Sequence, residues 1–223
     1  MKKILALLLT GVAAGAVADT FQDFNNNIYA QYNLISPNQG TVGNYDNWGL
    51  GGTFQSKNNV WLNANAIAGN STINNNSSLI NQQPISDYNL SLKAGYAFQF
   101  LNGDSNGFQV IPYASFGTFN MTGVGTSSTT YSYGLGVKPE YRLLNSLKVS
   151  LDANVYGVQQ GQSTFTTSGQ SFNYAITPEV QYDISKTILL GVAYTYNNTF
   201  NSQGNLVGDS GNSVTTLKVG YLF

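Results

Sequence analysis

Apolar and polar residues alternate with a period of two along several parts of this sequence. At the C-terminal end, Leu217, Val219, Tyr221 and Phe223 fall on one face, whereas Lys218 falls on the other. Alternation of this kind predicts a β-strand with one apolar and one polar face. Three further stretches have the same pattern: residues 131–142, 147–155 and 172–184. Their apolar faces are long enough to cross a bilayer, which argues against a soluble β-sandwich.

Less regular alternation predicts six more strands, at about residues 27–34, 47–57, 60–68, 87–100, 108–119 and 188–197. Strands that cross lipid must close into a barrel, because every backbone polar group there needs a hydrogen-bond partner. The sequence therefore predicts an all-β fold, a closed antiparallel transmembrane β-barrel of about ten strands. Eight strands is the alternative, since Ile111 and Tyr113 compete with Val110 and Phe116 for the lipid-facing side of the strand at 108–119.

Short and long connections alternate between these strands. The short ones lie at residues 58–59, 101–107, 144–146 and 185–187. The long ones, rich in Asn, Ser, Thr and Gly, lie at about residues 35–46, 69–86, 120–130, 158–171 and 198–212. In outer-membrane barrels the short turns face the periplasm and the long loops face the outside. The pattern therefore favours a bacterial outer-membrane location.

The first eighteen residues have the features of a secretory signal peptide. Lys2 and Lys3 precede an apolar run, and Ala16, Val17 and Ala18 form an A-x-A cleavage site. The run is shorter than the roughly 20 apolar residues that a transmembrane helix needs. We therefore expect residues 1–18 to be removed and residues 19–223 to form the barrel domain.

Composition removes several classes of function. Only 9% of the residues are charged, against about 25% in ordinary soluble proteins. Cysteine is absent, which excludes disulfides, thiolate metal sites and a lipobox anchor. Without Lys2 and Lys3, seven of the nine basic residues remain beside ten acidic ones, whereas a nucleic-acid partner requires a basic surface. We expect no nucleic-acid partner, no metal and no cofactor.

Nine charged side chains fall on the predicted inward faces. They are Lys93, Lys138, Glu140, Arg142, Lys148, Asp152, Glu179, Asp183 and Lys218. If residues 144–146 form a three-residue turn, Lys138 lies opposite Asp152, and the two can form a cross-strand ion pair. Charges away from bulk water are tolerated mainly when paired, so one interpretation is a balanced salt-bridge network that fills the lumen. The other is that the same pairs gate or line a narrow, ion-permeable path.

Small residues on the inward faces predict space toward the outer half of the barrel. They are Gly49, Gly51, Gly95, Gly134, Gly136, Gly191 and Ala193. Strand curvature is the alternative explanation, because glycine often marks a bend in barrels. Trp61 and Tyr156, which also point inward, are expected to fill part of that space.

The signal peptide, the alternating strands and the final Tyr221-Leu222-Phe223 resemble the small outer-membrane barrel families typified by OmpA, OmpX and OmpW. In those families the last strand is the signal that the barrel assembly machinery reads. The resemblance assigns that role here to four residues: Leu217, Val219, Tyr221 and Phe223. The barrel enzymes that the chain might resemble, which are proteases, phospholipases and lipid A acyltransferases or deacylases, use a catalytic histidine. This sequence has no histidine, so a Ser-His nucleophile is impossible and we do not expect an enzyme.

Two functional hypotheses follow from the sequence. The first is a structural or narrow-pore, porin-like outer-membrane barrel, and it rests on the balanced inward charges. The second is a surface-exposed adhesin or binding protein that acts through the long polar loops. The expected partners are outer-membrane lipid and lipopolysaccharide, the barrel assembly machinery, and either small solutes or a host surface.

Overall fold

The computed structural model describes residues 21–37, 45–73, 83–102, 106–123, 126–161, 171–200 and 211–223. The predicted signal peptide lies outside these residues, as does half or more of each of four predicted loops. Within them, no helix is both long and apolar enough to cross a membrane. One helical turn, α1 (Gln22–Asn25), precedes the first strand.

The rest of the described chain is almost entirely β-structure. The strands are β1 (Asn27–Pro37), β2 (Tyr45–Gln55), β3 (Val60–Ile73), β4 (Gln83–Tyr96), β5 (Phe98–Asn102), β6 (Gly107–Gly123), β7 (Thr126–Leu144), β8 (Leu147–Gly161), β9 (Ser171–Asp183), β10 (Ile188–Phe200) and β11 (Asn212–Leu222). Strands that follow one another in the chain pair antiparallel, except that β4 and β5 both pair with β6. β1 also pairs with β11 along its whole length, from Asn27 opposite Leu222 to Pro37 opposite Asn212.

The sheet closes into a barrel of ten strands, as predicted. β4 and β5 both pair with β6 and are separated only by Ala97, so together they form one strand of the barrel. Ala97 leaves the ladder because its backbone N–H donates instead to the carbonyl oxygen of Asn59, at 2.8 Å. The eight-strand alternative is wrong, because β6 takes its own place between β4 and β7.

The ambiguous strand β6 has one clear orientation. Ile111 and Tyr113 are buried in the lumen, whereas Phe116 is exposed on the outer surface. An unbroken register with β7, from Gly107 opposite Arg142 to Gly123 opposite Thr126, fixes this choice. A slip of one residue would place every side chain on the opposite face.

Several strands are longer than the alternation predicted. β7 has 19 residues, whereas a tilted strand needs about 9–11 to cross the hydrocarbon core. The predicted loop at residues 120–130 is wrong, because β6 continues to Gly123 and β7 begins at Thr126, and these two residues pair with each other. Thr126, Thr129 and Thr130 favour extended structure through their β-branched side chains, although both faces are polar there and no alternation is visible.

The outer surface carries the apolar faces of the strands. Leu135 is 71% exposed, and most outward-facing leucine, valine and aromatic side chains on the other strands are 40% exposed or more. Soluble proteins rarely expose contiguous apolar patches larger than a few hundred Å². This band therefore faces the hydrocarbon of a membrane, as the period-two alternation predicted.

Candidate functional site

The lumen has two different ends. The tight turns at residues 56–59, 145–146 and 184–187, together with α1, lie at one end, which we call the short-turn end. The opposite end, where β1 leads toward β2 and β10 toward β11, is called the long-loop end. Seven of the nine charged side chains that the sequence predicted to point inward lie between the two ends.

The helical turn α1 folds back into the barrel and covers the short-turn end. Phe24 is buried and packs with Leu189 of β10 and Leu222 of β11. Asn27 closes the turn, since its side-chain amide donates to the carbonyl oxygen of Phe24 at 2.5 Å. Sequence analysis missed this plug, because a single turn shows no periodicity. The only signal was the pair of phenylalanines, Phe21 and Phe24, directly before a run of asparagines.

A polar layer lies immediately above α1. We call it the Glu140 layer, and it consists of Asn25, Gln55, Gln109, Glu140 and Lys148. The Asn25 amide donates to Gln55 Oε1 at 2.7 Å and to Glu140 Oε2 at 2.8 Å. Lys148 Nζ donates to Asn25 Oδ1 at 2.5 Å, and Gln109 Nε2 donates to Glu140 Oε2 at 2.6 Å. These bonds join five separate segments across the lumen.

Glu140 and Glu179 share the lysines at the centre of the barrel. Glu140 is fully buried and lies 3.3 Å from Lys148 Nζ and 3.0 Å from Lys138 Nζ. Lys138 also lies 3.6 Å from Glu179, whose other oxygen is 2.5 Å from Lys218 Nζ. Three lysines therefore neutralise two carboxylates in one connected cluster, and the cluster spans β7, β8, β9 and β11.

A second ion pair lies higher in the lumen. Lys93 Nζ is 2.6 Å from Asp152 Oδ2, and the hydroxyl of Tyr113 donates to the other oxygen of Asp152. Lys93 also lies 4.8 Å from the centre of the Tyr113 ring. The pair connects β4 with β8. Because β6 and β7 lie between these two strands in the sheet, the two side chains meet across the lumen.

The predicted ion pair between Lys138 and Asp152 is wrong. The predicted register itself is present, because Val137 lies opposite Ala153 and Glu140 lies opposite Ser150. The turn, however, contains only residues 145–146 and not the predicted three. The long Lys138 side chain instead extends to Glu140 and Glu179, and Asp152 binds Lys93. Strand register fixes where a backbone lies, whereas a lysine can reach acidic groups on several strands.

The remaining two predicted residues lie at the short-turn end. Arg142 is buried near the end of β7. Asp183 accepts a hydrogen bond from the backbone N–H of Ser185 at 3.0 Å, so it stabilises the turn between β9 and β10. Seven of the nine predicted charges thus meet in ion pairs: Lys93, Lys138, Glu140, Lys148, Asp152, Glu179 and Lys218.

The inward glycines make room for tyrosines and not for a solute. A Cβ atom on Gly51 would lie 2.6 Å from the ring of Tyr29, and one on Gly136 would overlap the ring of Tyr113. The prediction that these two glycines leave open space is therefore wrong. Trp61 does fill the lumen as predicted, and it is only 1% exposed.

A polar cavity of about 420 Å³ lies above the central cluster. We call it the upper cavity. Trp61, Lys138 and Glu179 contribute to its floor, and its lining extends to Asn47 and Asn212, near the long-loop end. The lumen is thus filled at the short-turn end and hollow in its other half. The loops on which the surface-binding hypothesis depends lie largely outside the described residues.

The four predicted assembly residues lie at the edge where the barrel closes. Leu217, Val219 and Tyr221 are exposed on the lipid-facing side of β11. The backbone N–H of Phe223 donates to the carbonyl oxygen of Asn26 at 3.0 Å. In the part of the chain that the structure describes, no group of three or more carboxylates is placed to hold a metal ion.

No protein-family model and no curated protein sequence matches the chain. The outer-membrane protease OmpT from Escherichia coli superposes with a TM-score of 0.51 at 7% identity, over 89% of this chain and 94% of OmpT. The translocator domain of the autotransporter NalP from Neisseria meningitidis superposes with a TM-score of 0.48 at 14% identity, over 100% of this chain and 94% of that domain. Neisserial surface protein A superposes with a TM-score of 0.43 at 10% identity, over 88% of this chain and 95% of that protein.

At 7% identity the likeness to OmpT concerns the fold alone, which is that of an outer-membrane β-barrel. Membership of the OmpA, OmpX or OmpW type stays a prediction from the sequence.

Proposed function

We propose that this protein is a bacterial outer-membrane barrel with a structural or narrow-pore role, and that its lumen is closed on the periplasmic side. One observation carries the proposal: α1 and the Glu140 layer together cover the lumen at the short-turn end. Short turns face the periplasm in barrels of this class, and we therefore infer that the plug lies on that side. The apolar outer surface then contacts membrane lipid and lipopolysaccharide.

The closed state depends on hydrophobic docking as well as on hydrogen bonds. Phe21 and Phe24 are buried, and truncating a buried phenylalanine to alanine costs about 3–5 kcal/mol in a protein core. Above them, each of the two central carboxylates has at least two lysines or amides bound to it. Any pathway that opens past α1 is therefore narrow and lined by paired charges.

Planar-bilayer recordings test the plug. The double substitution Phe21→Ala and Phe24→Ala is expected to produce small openings, because α1 then loses its apolar contacts with Leu189 and Leu222. The unmodified protein is expected to stay closed. A matched control carries the same change at two lipid-facing phenylalanines, Phe98→Ala and Phe100→Ala, and should also stay closed.

Two outcomes of these recordings would contradict the proposal. Large, permanent openings in the unmodified protein would show that α1 does not close the lumen. The second is a plug variant that folds, as judged by its heat-modifiable mobility on gels, but shows no openings. That result would contradict the narrow-pore role and would leave the structural role.

We further propose that the protein is not an enzyme. The sequence contains no histidine, so the usual activation of a hydroxyl nucleophile by a neighbouring imidazole is not possible. The buried carboxylates Glu140 and Glu179 are held by lysines and amides, which leaves them occupied in structural contacts. OmpT is called a protease, and that activity belongs to OmpT.

The resemblance to small outer-membrane barrels predicts a role for Phe223 in assembly. Phe223→Ser is expected to lower the amount of folded protein in the outer membrane several-fold, because the assembly machinery reads an aromatic residue there. Phe100→Ser, at another lipid-facing phenylalanine near the short-turn end, is the matched control. Heat-modifiability of outer-membrane fractions measures the folded amount. Equal levels of the two variants would count against the assembly signal.

A further inference from the structure

The upper cavity has the size and shape of a binding site for a small molecule. Its volume of about 420 Å³ lies within the roughly 300–1,000 Å³ that is usual for ligand pockets. The central ion cluster closes it below, and its walls are rigid strands of the barrel. A molecule that enters from the long-loop end would be surrounded by side chains that the sheet holds in fixed positions.

The chemistry of the wall is neutral and polar. Among the described residues, seven asparagines, two glutamines, four threonines and one serine line the cavity. Amide side chains both donate and accept hydrogen bonds, and hydroxyl groups do the same. A wall of this composition matches a solute that carries many hydroxyl groups, since each hydroxyl can find a donor and an acceptor.

The lining carries three lysines and three carboxylates; five of these charges meet in ion pairs, and the sixth, Asp87, lies near the long-loop end. Lys93 is paired with Asp152, and Lys218 and Lys138 are paired with Glu179. A charged solute would have to compete with one of these pairs, and breaking a buried pair is unfavourable because it leaves an uncompensated charge. The lower part of the cavity, where these pairs lie, therefore disfavours uronic acids and amino sugars in comparison with neutral sugars.

Besides Oδ1 of Asp87, three polar atoms of the lining lack a hydrogen-bond partner among the described residues. They are Nε1 of Trp61 at the floor, Oε1 of Gln181 and Oδ1 of Asn212. One is a donor and two are acceptors. Buried polar groups are nearly always hydrogen-bonded, so these atoms indicate that small local movements bring them into contact with something that fills the cavity.

We propose that the upper cavity binds a neutral sugar of one or two rings from the external medium. The hydroxyl groups of the sugar bond to the amides of the wall, and the paired charges exclude acidic and basic sugars. The proposal concerns binding from the long-loop end, so it holds whether or not the lumen conducts.

The chain provides its own reporter for a test. It has two tryptophans, Trp48 and Trp61, and Trp48 lies on the lipid-facing surface, 64% exposed. In a Trp48→Phe background, Trp61 at the floor of the cavity is the remaining tryptophan. The refolded protein in detergent is titrated with neutral disaccharides (maltose, lactose, trehalose and N,N′-diacetylchitobiose) and with charged ones (digalacturonate and chitobiose). Calorimetry on the unmodified protein detects binding that leaves the fluorescence unchanged.

At least one neutral disaccharide is expected to bind saturably, and about tenfold or more tightly than either charged one. Asn89→Leu should weaken this binding about tenfold, because Asn89 lines the cavity. Asn154→Leu is the matched control, since Asn154 points inward on β8 but does not line the cavity. Heat-modifiable mobility verifies that both variants fold.

Three results would overturn the proposal. The first is the absence of saturable binding by any neutral sugar in both measurements. The second is tighter binding of digalacturonate or chitobiose than of the neutral sugars. The third is an equal effect of the Asn89 and Asn154 substitutions, which would place binding outside the upper cavity.

Discussion

Replacing Glu140 by leucine is expected to lower the free energy of unfolding by about 3–5 kcal/mol, the usual cost of removing one partner of a buried ion pair. Glu140 is fully buried and binds Lys148, Lys138, Gln109 and Asn25. Leucine cannot accept any of these hydrogen bonds. Lys148 is affected most, because among the described residues Glu140 is the carboxylate within ion-pair distance of it, and Lys148 is buried at the bottom of the lumen. Urea unfolding of the refolded protein in detergent micelles or vesicles measures the change.

Two companion variants make this result specific. Asp46→Leu removes a carboxylate that accepts a hydrogen bond from Tyr32 on the exposed surface, at 2.7 Å, and it should leave the free energy of unfolding nearly unchanged. Adding Lys148→Met to Glu140→Leu should recover part of the lost stability, because it removes the charge that was left unpaired. A loss below about 1 kcal/mol for Glu140→Leu would mean that the cluster contributes little to the fold.

Trp61→Ala is expected to destabilise the barrel by a similar amount, about 3–5 kcal/mol, because it leaves a large void in a packed core. Trp61 packs with Ala97, Ile111 and Tyr113, and its ring lies 5.8 Å from that of Tyr113. Lys138 Nζ lies 5.7 Å from the Trp61 ring, so the substitution also removes a cation–π contact from the central cluster.

The chain contains its own control for this prediction. Trp48→Ala makes the same substitution at a residue that faces lipid, where no internal void forms. Urea unfolding of the two variants should therefore show a much larger loss for Trp61→Ala. Equal losses, or a greater loss for Trp48→Ala, would show that packing inside the lumen contributes less to stability than contact with the membrane.

The sequence predicted those parts of the fold where one face meets lipid and the other meets the lumen. β11 shows this most clearly, because Leu217, Val219 and Tyr221 alternate with Thr216 and Lys218. Burial on one side alone produces a period of two, and the period predicts the strand. Where β6 and β7 extend beyond the apolar band, both faces are polar, the period disappears, and the hairpin was mistaken for a loop.

The candidate site was only partly predictable, for a different reason. Alternation gives the face on which Lys138 and Asp152 lie, but ion-pair partners depend on which side chains meet across the lumen. Lys93 and Asp152 lie on strands that are not neighbours, so no local pattern connects them. The position of α1 depends in the same way on distant contacts, with Leu189 and Leu222.

The docking of α1 also constrains the order in which the barrel is completed. α1 directly precedes β1, yet its apolar contacts come from β10 and β11, and Asn26 accepts a hydrogen bond from Phe223. These partners come together only after β11 has paired with β1. An incomplete ring therefore lacks the apolar surface on which Phe24 packs, so completion of the plug is coupled to closure of the seam.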